Sequence, residues 1–212
     1  MPDAVAVLAD AFEGYPVMRF VLGTGDGIET RMERLITFFV MARVLREEPI
    51  LGVRSEEGRL DAVALVSRPG RGASPAELGR IRETLWAELG AAERARYQAF
   101  GAATAAFDIE TDHLHLNMIG VRRQARGRGL ARTLLDAVHV LSLVDPASTG
   151  VSLTTEVEDN LSLYRRFGYD VIGRAEVTVA LTTWGMFRPD ADRAREGPAQ
   201  LVECQENDSA GR

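Results

Sequence analysis

The sequence predicts an α/β domain in which helices flank a mixed β-sheet, and three observations support this fold class. The length of 212 residues suits one domain with a sizeable core. A composition with 46% hydrophobic and 26% charged residues is typical of globular domains. Segments with strand alternation and segments with helical spacing follow one another along the chain, which is the pattern of an α/β protein.

Helices and one β-hairpin are predicted in the first half of the chain. Glu13-Gly14 followed by Pro16 interrupts the first helical pattern. Glu57-Gly58 is a turn between two apolar segments, the second of which alternates as a strand does. The predicted elements are, in order, helices over 2–12 and 28–46, a hairpin of strands 50–54 and 60–68, and helices over about 75–89 and 91–106.

Strands and helices alternate in the second half. Gly168 is suited to end a short helix as a left-handed cap, and Gly173 is expected to form the turn of the last strand pair. Beyond Pro189 the chain is polar, acidic and small, so we expect a domain of residues 1–188 and a disordered tail of residues 189–212. The predicted elements are strand 114–121, helix 129–144, strand 151–155, helix 160–167 and an antiparallel pair of 170–172 and 176–187.

Charge and composition exclude several classes of protein. The 25 basic and 31 acidic residues give a formal net charge of −6, which argues against a nucleic-acid partner. No apolar run reaches the ~18 residues of a membrane span and no signal pattern opens the chain, so we expect a cytoplasmic protein without a membrane partner. The single Cys204 excludes an internal disulfide and a cysteine-rich zinc site, and no metal site is predicted.

A glycine-rich turn carries the chemical information of this sequence. It joins a strand that ends at Val121 to a helix that begins near Gly129. The unpaired N–H groups of a helix start, together with the positive end of its dipole, bind phosphate. Gly127 and Gly129 allow close backbone approach, and Ala131 is small. Every basic residue is Arg, so an anion site here must use Arg or backbone amides.

Other phosphate-binding and nucleic-acid motifs fit this turn poorly. A Walker loop needs Gly-Lys-Ser/Thr, which is absent. A dinucleotide fingerprint needs a different glycine spacing and an acid after the following strand. An Arg-rich turn for nucleic acid is disfavoured by the acidic net charge and by the lack of interleaved aromatic residues.

Two segments carry a family resemblance. Arg126-x-x-Gly129-x-Ala131 resembles the Arg/Gln-x-x-Gly-x-Gly/Ala pyrophosphate signature of the GNAT superfamily of acetyl-CoA-dependent N-acetyltransferases. The block from Asn160 through Tyr164 to Gly168 and Tyr169 is similar to the superfamily's Asn-x-x-x-Tyr-x-x-x-Gly-Phe segment. Segments 11–16 and 183–186 also resemble puromycin N-acetyltransferases, which are GNAT enzymes that modify an amine of an antibiotic.

The resemblance implies a particular fold and cofactor site. The sheet is expected to be splayed at its centre by a bulge, with a helical insertion over about 75–107 before the central strand, and with the superfamily's usual first strand missing. The backbone of Ile119, Gly120 and Val121 is expected to bind the pantetheine arm of acetyl-CoA, and Asn160 to contact the same part. The residues expected at the pyrophosphate are Arg126, Gly127, Arg128, Gly129, Leu130, Ala131 and Arg132.

Tyr164 is the candidate general acid. It lies one helical turn after Asn160, which places both side chains on one helix face. The resemblance implies that its hydroxyl protonates the departing sulfur of CoA. The alternative is a tyrosine that only caps the core.

Two strand histidines are candidates for the general base. His113 and His115 are two residues apart, so they share one strand face with Asn117. An imidazole that titrates near ~6.5 is suited to accept a proton from an amine, directly or through water. The resemblance points to the same region, because histone-type members carry a glutamate base at the position of His115, whereas Thr154 replaces a glutamate that members carry on the next strand. The alternative is that the histidines carry no chemistry.

Other polar and aromatic residues have simpler structural interpretations. Glu156, Glu158 and Asp159 are typical of acids before a helix, with attraction of a cationic amine as the alternative. His139 is expected to be a partly exposed helix residue. The aromatic residues of the inserted helices are expected in the core, with a lid over the acceptor as the alternative: Trp86, Tyr97, Phe100 and Phe107.

The function implied by the resemblance is N-acetyl transfer. An acetyl group moves from acetyl-CoA, as co-substrate, to a primary amine of a small molecule by direct attack in a ternary complex. Two alternatives stay open, namely a CoA-binding sensor without catalysis and a protein acetyltransferase that acts on lysines or N-termini. The sequence also leaves open whether two chains pair as a homodimer.

Overall fold

The computed structural model describes residues 1–69 and 73–190. Its helices are α1 (Pro2–Phe12), α2 (Pro16–Leu22), α3 (Ile28–Leu45), α4 (Ala76–Leu89), α5 (Ala91–Thr104), α6 (Leu130–Val144) and α7 (Asp159–Arg165). Its strands are β1 (Ile50–Arg54), β2 (Leu60–Ser67), β3 (Leu114–Val121), β4 (Gly150–Thr155), β5 (Asp170–Thr178) and β6 (Leu181–Pro189). Short 3₁₀ turns occupy Ala105–Phe107 and Arg123–Ala125.

The six strands form one mixed sheet in the order β1-β2-β3-β4-β6-β5. Strands β3 and β4 are parallel, because α6 carries the chain back across the sheet between them, and every other pair is antiparallel. This is the predicted α/β fold class. Among the described residues no strand precedes α1. None of the described helices is long and apolar enough to cross a membrane. The cytoplasmic location stays a prediction.

Helices cover both faces of the sheet. Neighbouring residues of β2 are therefore buried on opposite sides. Ala62 and Ala64 belong to the core beneath α6, and Val63 belongs to the core beneath α1 and α3. Helices α4 and α5, the predicted insertion, lie on the α3 side. The central strands are therefore buried on both sides except where the sheet opens.

Helix α1 packs against β3 through a glycine. A side chain at Gly120 would bring its Cβ within 2.8 Å of the Ala11 Cβ and 3.0 Å of the Leu8 Cδ2. Only a residue without a Cβ permits this close approach. Gly120 thus positions the end of α1 beside the strand that the sequence links to the pantetheine arm.

One helix was missed from the sequence, and two sequence predictions are wrong. Helix α2 was not predicted, because Pro16 reads as a helix breaker, whereas here it begins a new helix at the position that tolerates proline. The last hairpin turns between Thr178 and Leu181, not at Gly173. Gly173 lies within β5, where an added Cβ would be 2.3 Å from Phe107 Cδ1, so packing rather than a turn requires glycine there. The other wrong prediction concerns His139, which was expected to be partly exposed but is buried; it is described with the site below.

The C-terminal boundary lies slightly beyond the predicted one. Strand β6 continues to Pro189, and Asp190 is buried, where its carboxylate accepts a hydrogen bond from the Ser142 hydroxyl at 2.7 Å. Residues 191–212 of the predicted tail lie outside the described residues.

Candidate active site

The sheet opens between β3 and β4. The two strands pair only where Leu114–Leu116 faces Val151–Leu153, and β3 then continues to Val121 beside β2 alone. The opening coincides with a bulge, because Leu65 and Val66 of β2 oppose Met118 and Leu116, which leaves Asn117 as an extra residue in β3. The splayed centre and the bulge that the resemblance implies are both present.

The bulge also reverses the alternation of β3. Before it, Leu114 and Leu116 pack toward α6; after it, Ile119 packs toward α6 and Met118 packs toward α1 and α3. One strand thus presents two different surfaces to the opening. The histidines lie before the bulge, and the residues predicted for the pantetheine arm lie after it.

A cavity of about 160 Å³ lies in this opening. From β3 and α7 it is lined by Ile119, Asn160 and Tyr164, and from the α3 side by Leu35 and Phe39. Because these residues come from both faces of the sheet, the cavity passes between the strands. A thioester and an attacking amine that approach from opposite faces can meet there.

The turn before α6 has the geometry of an anion site. Gly127 and Gly129 have φ values of 78° and 80°, in the left-handed region that favours glycine. No side chain caps the helix, and no atom lies within 4 Å of the Cβ position at either glycine. Within the described residues no backbone acceptor bonds the first amides of α6, and the positive end of a helix of 15 residues lies behind them, so these residues fit a diphosphate.

Arginine side chains attach this turn to α1. Arg126 Nη2 donates to the Ala11 carbonyl at 3.2 Å. Arg123 donates to the Asp10 carboxylate from its backbone N–H at 2.7 Å and from its Nε at 3.1 Å. The side chain of Arg126 therefore fixes the turn, whereas Arg128 is exposed beside the glycines and free to approach an anion. Arg132 lies over the Phe167 ring, 5.0 Å from its centroid.

The two predicted residues of α7, Asn160 and Tyr164, both line the cavity. Asn160 Nδ2 donates to Thr155 Oγ1 at 3.1 Å, which fixes its amide at the cavity wall. Tyr164 is 8% exposed, and its hydroxyl has no hydrogen-bond partner within the described residues. Burial raises the pKa of Tyr164, and the neighbouring Tyr15 and Glu156 raise it further. A protonated hydroxyl at the cavity is suited to donate a proton.

The two strand histidines line a different space. His113, His115 and Asn117 share one open cleft of about 790 Å³ on the α3 and α5 side, and neither histidine lines the cavity at Tyr164. His115 Nδ1 lies 2.8 Å from the Ser152 hydroxyl, and burial lowers its pKa to about 4. His113 Nδ1 lies 2.7 Å from the Thr111 carbonyl and donates to it. Their role as bases stays a prediction.

His139 is buried, contrary to the prediction of a partly exposed residue. It is 8% exposed, and its Nε2 lies 3.1 Å from the Tyr169 hydroxyl. Burial lowers its pKa to about 4. The contact joins α6 to the end of α7, which no helical pattern within α6 could reveal.

The inserted helices supply an aromatic wall. Tyr97 and Phe100 of α5 line both the inner cavity and the larger cleft, and Phe107 lines the cleft. Trp86 of α4 is 6% exposed and belongs to the core, against which the ring of Tyr97 packs with centroids 5.1 Å apart. Trp86 therefore lies in the core, as predicted, whereas Tyr97, Phe100 and Phe107 line the cleft where the alternative places a lid.

The sequence did not place Tyr15 or Glu156 at the cavity, and it interpreted Glu156 as an acid before a helix, with attraction of a cationic amine as the alternative. Glu156 follows β4 and lines the cavity, where Thr183 Oγ1 donates to its Oε1 at 2.8 Å. Tyr15, between α1 and α2, lines the same cavity, and its hydroxyl accepts from the Glu156 N–H at 3.3 Å. Strand alternation offered a signal for Glu156, because it is two residues beyond Thr154 and shares its side of the strand.

Comparison with known proteins finds a match to the superfamily that the sequence motifs resemble. Residues 82–171 match the family described as acetyltransferase (GNAT) domain, and this range spans the opening, the glycine turn and α7. Over this part of the chain the sequence is similar to a GNAT acetyltransferase domain. This match indicates an acyltransferase, and proteins of the matched family use acetyl-CoA. No protein of curated function matches the sequence.

Solved structures share the fold at low identity. A Corynebacterium glutamicum protein described as histone acetyltransferase HPA2 and related acetyltransferase is 22% identical, with a TM-score of 0.64 over 90% of this chain and 91% of that one. Arylalkylamine N-acetyltransferase 2 from Aedes aegypti is 15% identical, with a TM-score of 0.57 over 89% and 93%. The NatB acetyltransferase complex bound to CoA and MES is 13% identical, with a TM-score of 0.50 over 89% of this chain and 95% of that one. None of these findings shows similarity to a puromycin N-acetyltransferase, which stays a prediction.

Proposed function

We propose that this acyltransferase moves an acetyl group from acetyl-CoA to a primary amine of a small molecule, by direct attack in a ternary complex. The observation that carries the proposal is the cavity between β3 and β4, which has the Tyr164 hydroxyl in its wall and access from both faces of the sheet. Acetyl-CoA supplies an activated acyl group as a thioester.

The protein binds the co-substrate mostly through its backbone. Within residues 1–69 and 73–190 no strand pairs with the β4-facing edge of Ile119–Val121, so its peptide groups are available to the amides of the pantetheine arm. The amides of Gly127–Arg132 receive the diphosphate at the start of α6, with Arg128 beside it. Asn160 projects into the cavity from α7 and contacts the arm near the thioester.

Tyr164 acts as the general acid. Its raised pKa keeps the phenol protonated at neutral pH, and its hydroxyl has no competing partner in the described part of the chain. A thiol titrates near ~8.5, so a donated proton helps the sulfur to leave. Its position at the cavity wall makes the sulfur the atom that the hydroxyl meets.

The acceptor cleft favours a small amine with an apolar body. Phe38, Phe100 and Phe107 line it together with polar residues of β3. A volume of about 790 Å³ lies in the usual range of small-molecule sites, roughly 300–1,000 Å³. The likeness to an arylalkylamine N-acetyltransferase is consistent with such an acceptor. A protein acceptor is the second candidate, since another similar structure is described as a histone acetyltransferase.

A thiol-release assay tests the proposal. The purified chain is incubated with acetyl-CoA and, separately, with arylalkylamines, aminonucleosides, amino sugars and lysine peptides. We expect thiol release that depends on the small amine and an acetylated amine in the mass spectrum. Release with peptides alone would favour the protein acceptor. Binding of CoA without turnover of any amine would favour a sensor and overturn the proposal.

A further inference from the structure

Glu156 has a partly buried carboxyl group in the wall of the cavity between β3 and β4. It lies directly after β4, before α7 begins at Asp159, so it belongs to the edge of the opening rather than to the helix. The cavity that it lines also contains Tyr164 and Asn160. A carboxylate without a structural ion pair is costly to bury, and no salt bridge reaches Glu156 in residues 1–69 and 73–190. This cost requires a reason.

We propose that Glu156 is the group that accepts the proton from the acceptor amine, directly or through one water. This inference rests on the proposed acetyl transfer and assigns its base. Glu156 and Tyr164 line one cavity of about 160 Å³, so an amine that attacks a thioester there has both groups around it. The base and the acid then lie on either side of the reacting atoms.

The hydrogen bonds around Glu156 fix its orientation. Thr183 Oγ1 of β6 donates to Oε1 at 2.8 Å. The hydroxyl of Tyr15 lies beside the same residue, accepts its backbone N–H at 3.3 Å, and lies 3.2 Å from Thr155 Oγ1. Thr183 thus orients the carboxyl group and Tyr15 holds the backbone of the same residue, and such positioning is what a general base needs.

The surroundings of Glu156 bring its pKa close to the value that a general base needs at neutral pH. The titratable groups that face Glu156 are Tyr15, from the segment between α1 and α2, and Tyr164, from α7. Burial raises the pKa of Glu156 to about 7, although hydrogen bonds from Thr183 and Tyr15 lower it. A base with a pKa near the working pH is the most effective. The pKa of Tyr164 is also raised. Near neutral pH Glu156 can therefore accept a proton while Tyr164 stays protonated and can donate one.

His115 is less suited to the same task. Its pKa is lowered to about 4, mainly by burial, so it binds a proton only weakly at neutral pH. It also lines the outer cleft rather than the cavity at Tyr164. Glu156 has both the position and the basicity that the histidine lacks.

The proton balance closes with these two groups. The ammonium form of the acceptor loses one proton to the Glu156 carboxylate, and the free amine forms a C–N bond with the thioester carbon. The C–S bond breaks, and the sulfur takes a proton from Tyr164. The nitrogen then loses a second proton, which restores Tyr164. Glu156 releases its proton to solvent, so that R–NH₃⁺ and the thioester yield amide, thiol and one H⁺.

The experiment compares Glu156→Gln with Glu158→Gln. Glu158 is exposed and lies two residues away, so its variant controls for loss of one negative charge at this end of β4. We expect kcat/KM of Glu156→Gln to fall about 100-fold at neutral pH, and the limb of the pH profile near pH 7 to disappear. Glu158→Gln is expected to keep the rate within twofold and the limb unchanged.

Two readouts independent of turnover accompany the rates. A carboxyl carbon that titrates near pH 7 in the wild-type NMR spectrum is expected to be absent from Glu156→Gln, whereas CoA affinity stays within twofold. Glu156→Asp, which keeps the carboxylate, is expected to retain the limb at a reduced rate. An unchanged limb in a folded Glu156→Gln, or no carboxyl group titrating above pH 6, would overturn the inference. Acetyl transfer by the wild type would then still stand, whereas an inactive wild type would refute the proposed function itself.

Discussion

The two halves of β3 on either side of the Asn117 bulge differ in how they build a site. After the bulge, Ile119–Val121 and the glycine turn offer backbone groups, and side chains such as Arg126 serve to attach the turn to α1. Before the bulge, the strand faces a cleft whose chemistry is made by side chains from α3, α5 and β4. A site made of backbone groups depends on a conformation, which here requires glycine at positive φ, whereas a site made of side chains depends on the identity of those side chains.

The largest expected effect concerns the backbone site. Gly129→Asp places a carboxylate where the diphosphate is expected, so we predict that the Kd for CoA rises at least about 100-fold, in line with a like-charge clash of several kcal/mol. Gly58→Asp is the matched control. Gly58 has the same φ of 80° and the same open surroundings in the β1–β2 turn, so both variants share a backbone strain of roughly 1 kcal/mol. Isothermal titration with CoA measures the difference, and equal affinities would contradict the anion site.

The next effect concerns the acid. Tyr164→Phe removes only the hydroxyl, and we predict that kcat falls about 100-fold while the Kd for CoA is unchanged. Tyr169→Phe is the control, because its ring packs against Tyr164 with centroids 5.7 Å apart and its hydroxyl contacts His139 instead. The control is expected to lose about 1 kcal/mol of stability and to keep its rate. A rate loss of the same size in both variants would mean that Tyr164 only packs.

The same contrast explains what the sequence could predict. Arg126, Gly129 and Ala131 lie close together in the sequence, and Asn160 and Tyr164 are one helical turn apart, so a local pattern is enough to propose them. Tyr15 and Glu156 meet across 141 residues of sequence, and the Thr183 contact needs the β4–β6 register. No local pattern contains such a contact. For the same reason Gly173 resembled a turn, although its partner Phe107 lies far away in the chain.

A smaller effect links the base to stability. The folded-state pKa of Glu156 is about 7, above its ordinary 4.5, so the folded protein binds more protons between these values and its stability falls as pH rises through this window. Glu156→Gln removes this dependence. We predict that its free energy of unfolding at pH 8 exceeds that of the wild type by about 1–3 kcal/mol, with no gain at pH 4. Urea unfolding at both pH values measures it, and a loss at pH 8 would contradict the buried carboxylate.

The smallest effect on the rate is expected before the bulge. His115→Asn keeps a polar group near Ser152, and we predict a kcat/KM within about threefold of wild type. A drop of 100-fold would restore His115 as the base. Because its folded pKa of about 4 lies below the ordinary 6.5, wild-type stability is lost as pH falls through this window, and the variant is expected to lose less.

Amide hydrogen exchange tests the central claim most directly. CoA is proposed to lie along the open edge of β3 and over the start of α6, so saturating CoA is predicted to slow exchange at residues 119–121 and 127–132 of the wild-type chain. Exchange in the β1–β2 turn around Gly58 is predicted to stay unchanged. Protection confined to other segments, or CoA bound with no slowing at the glycine turn, would contradict the account.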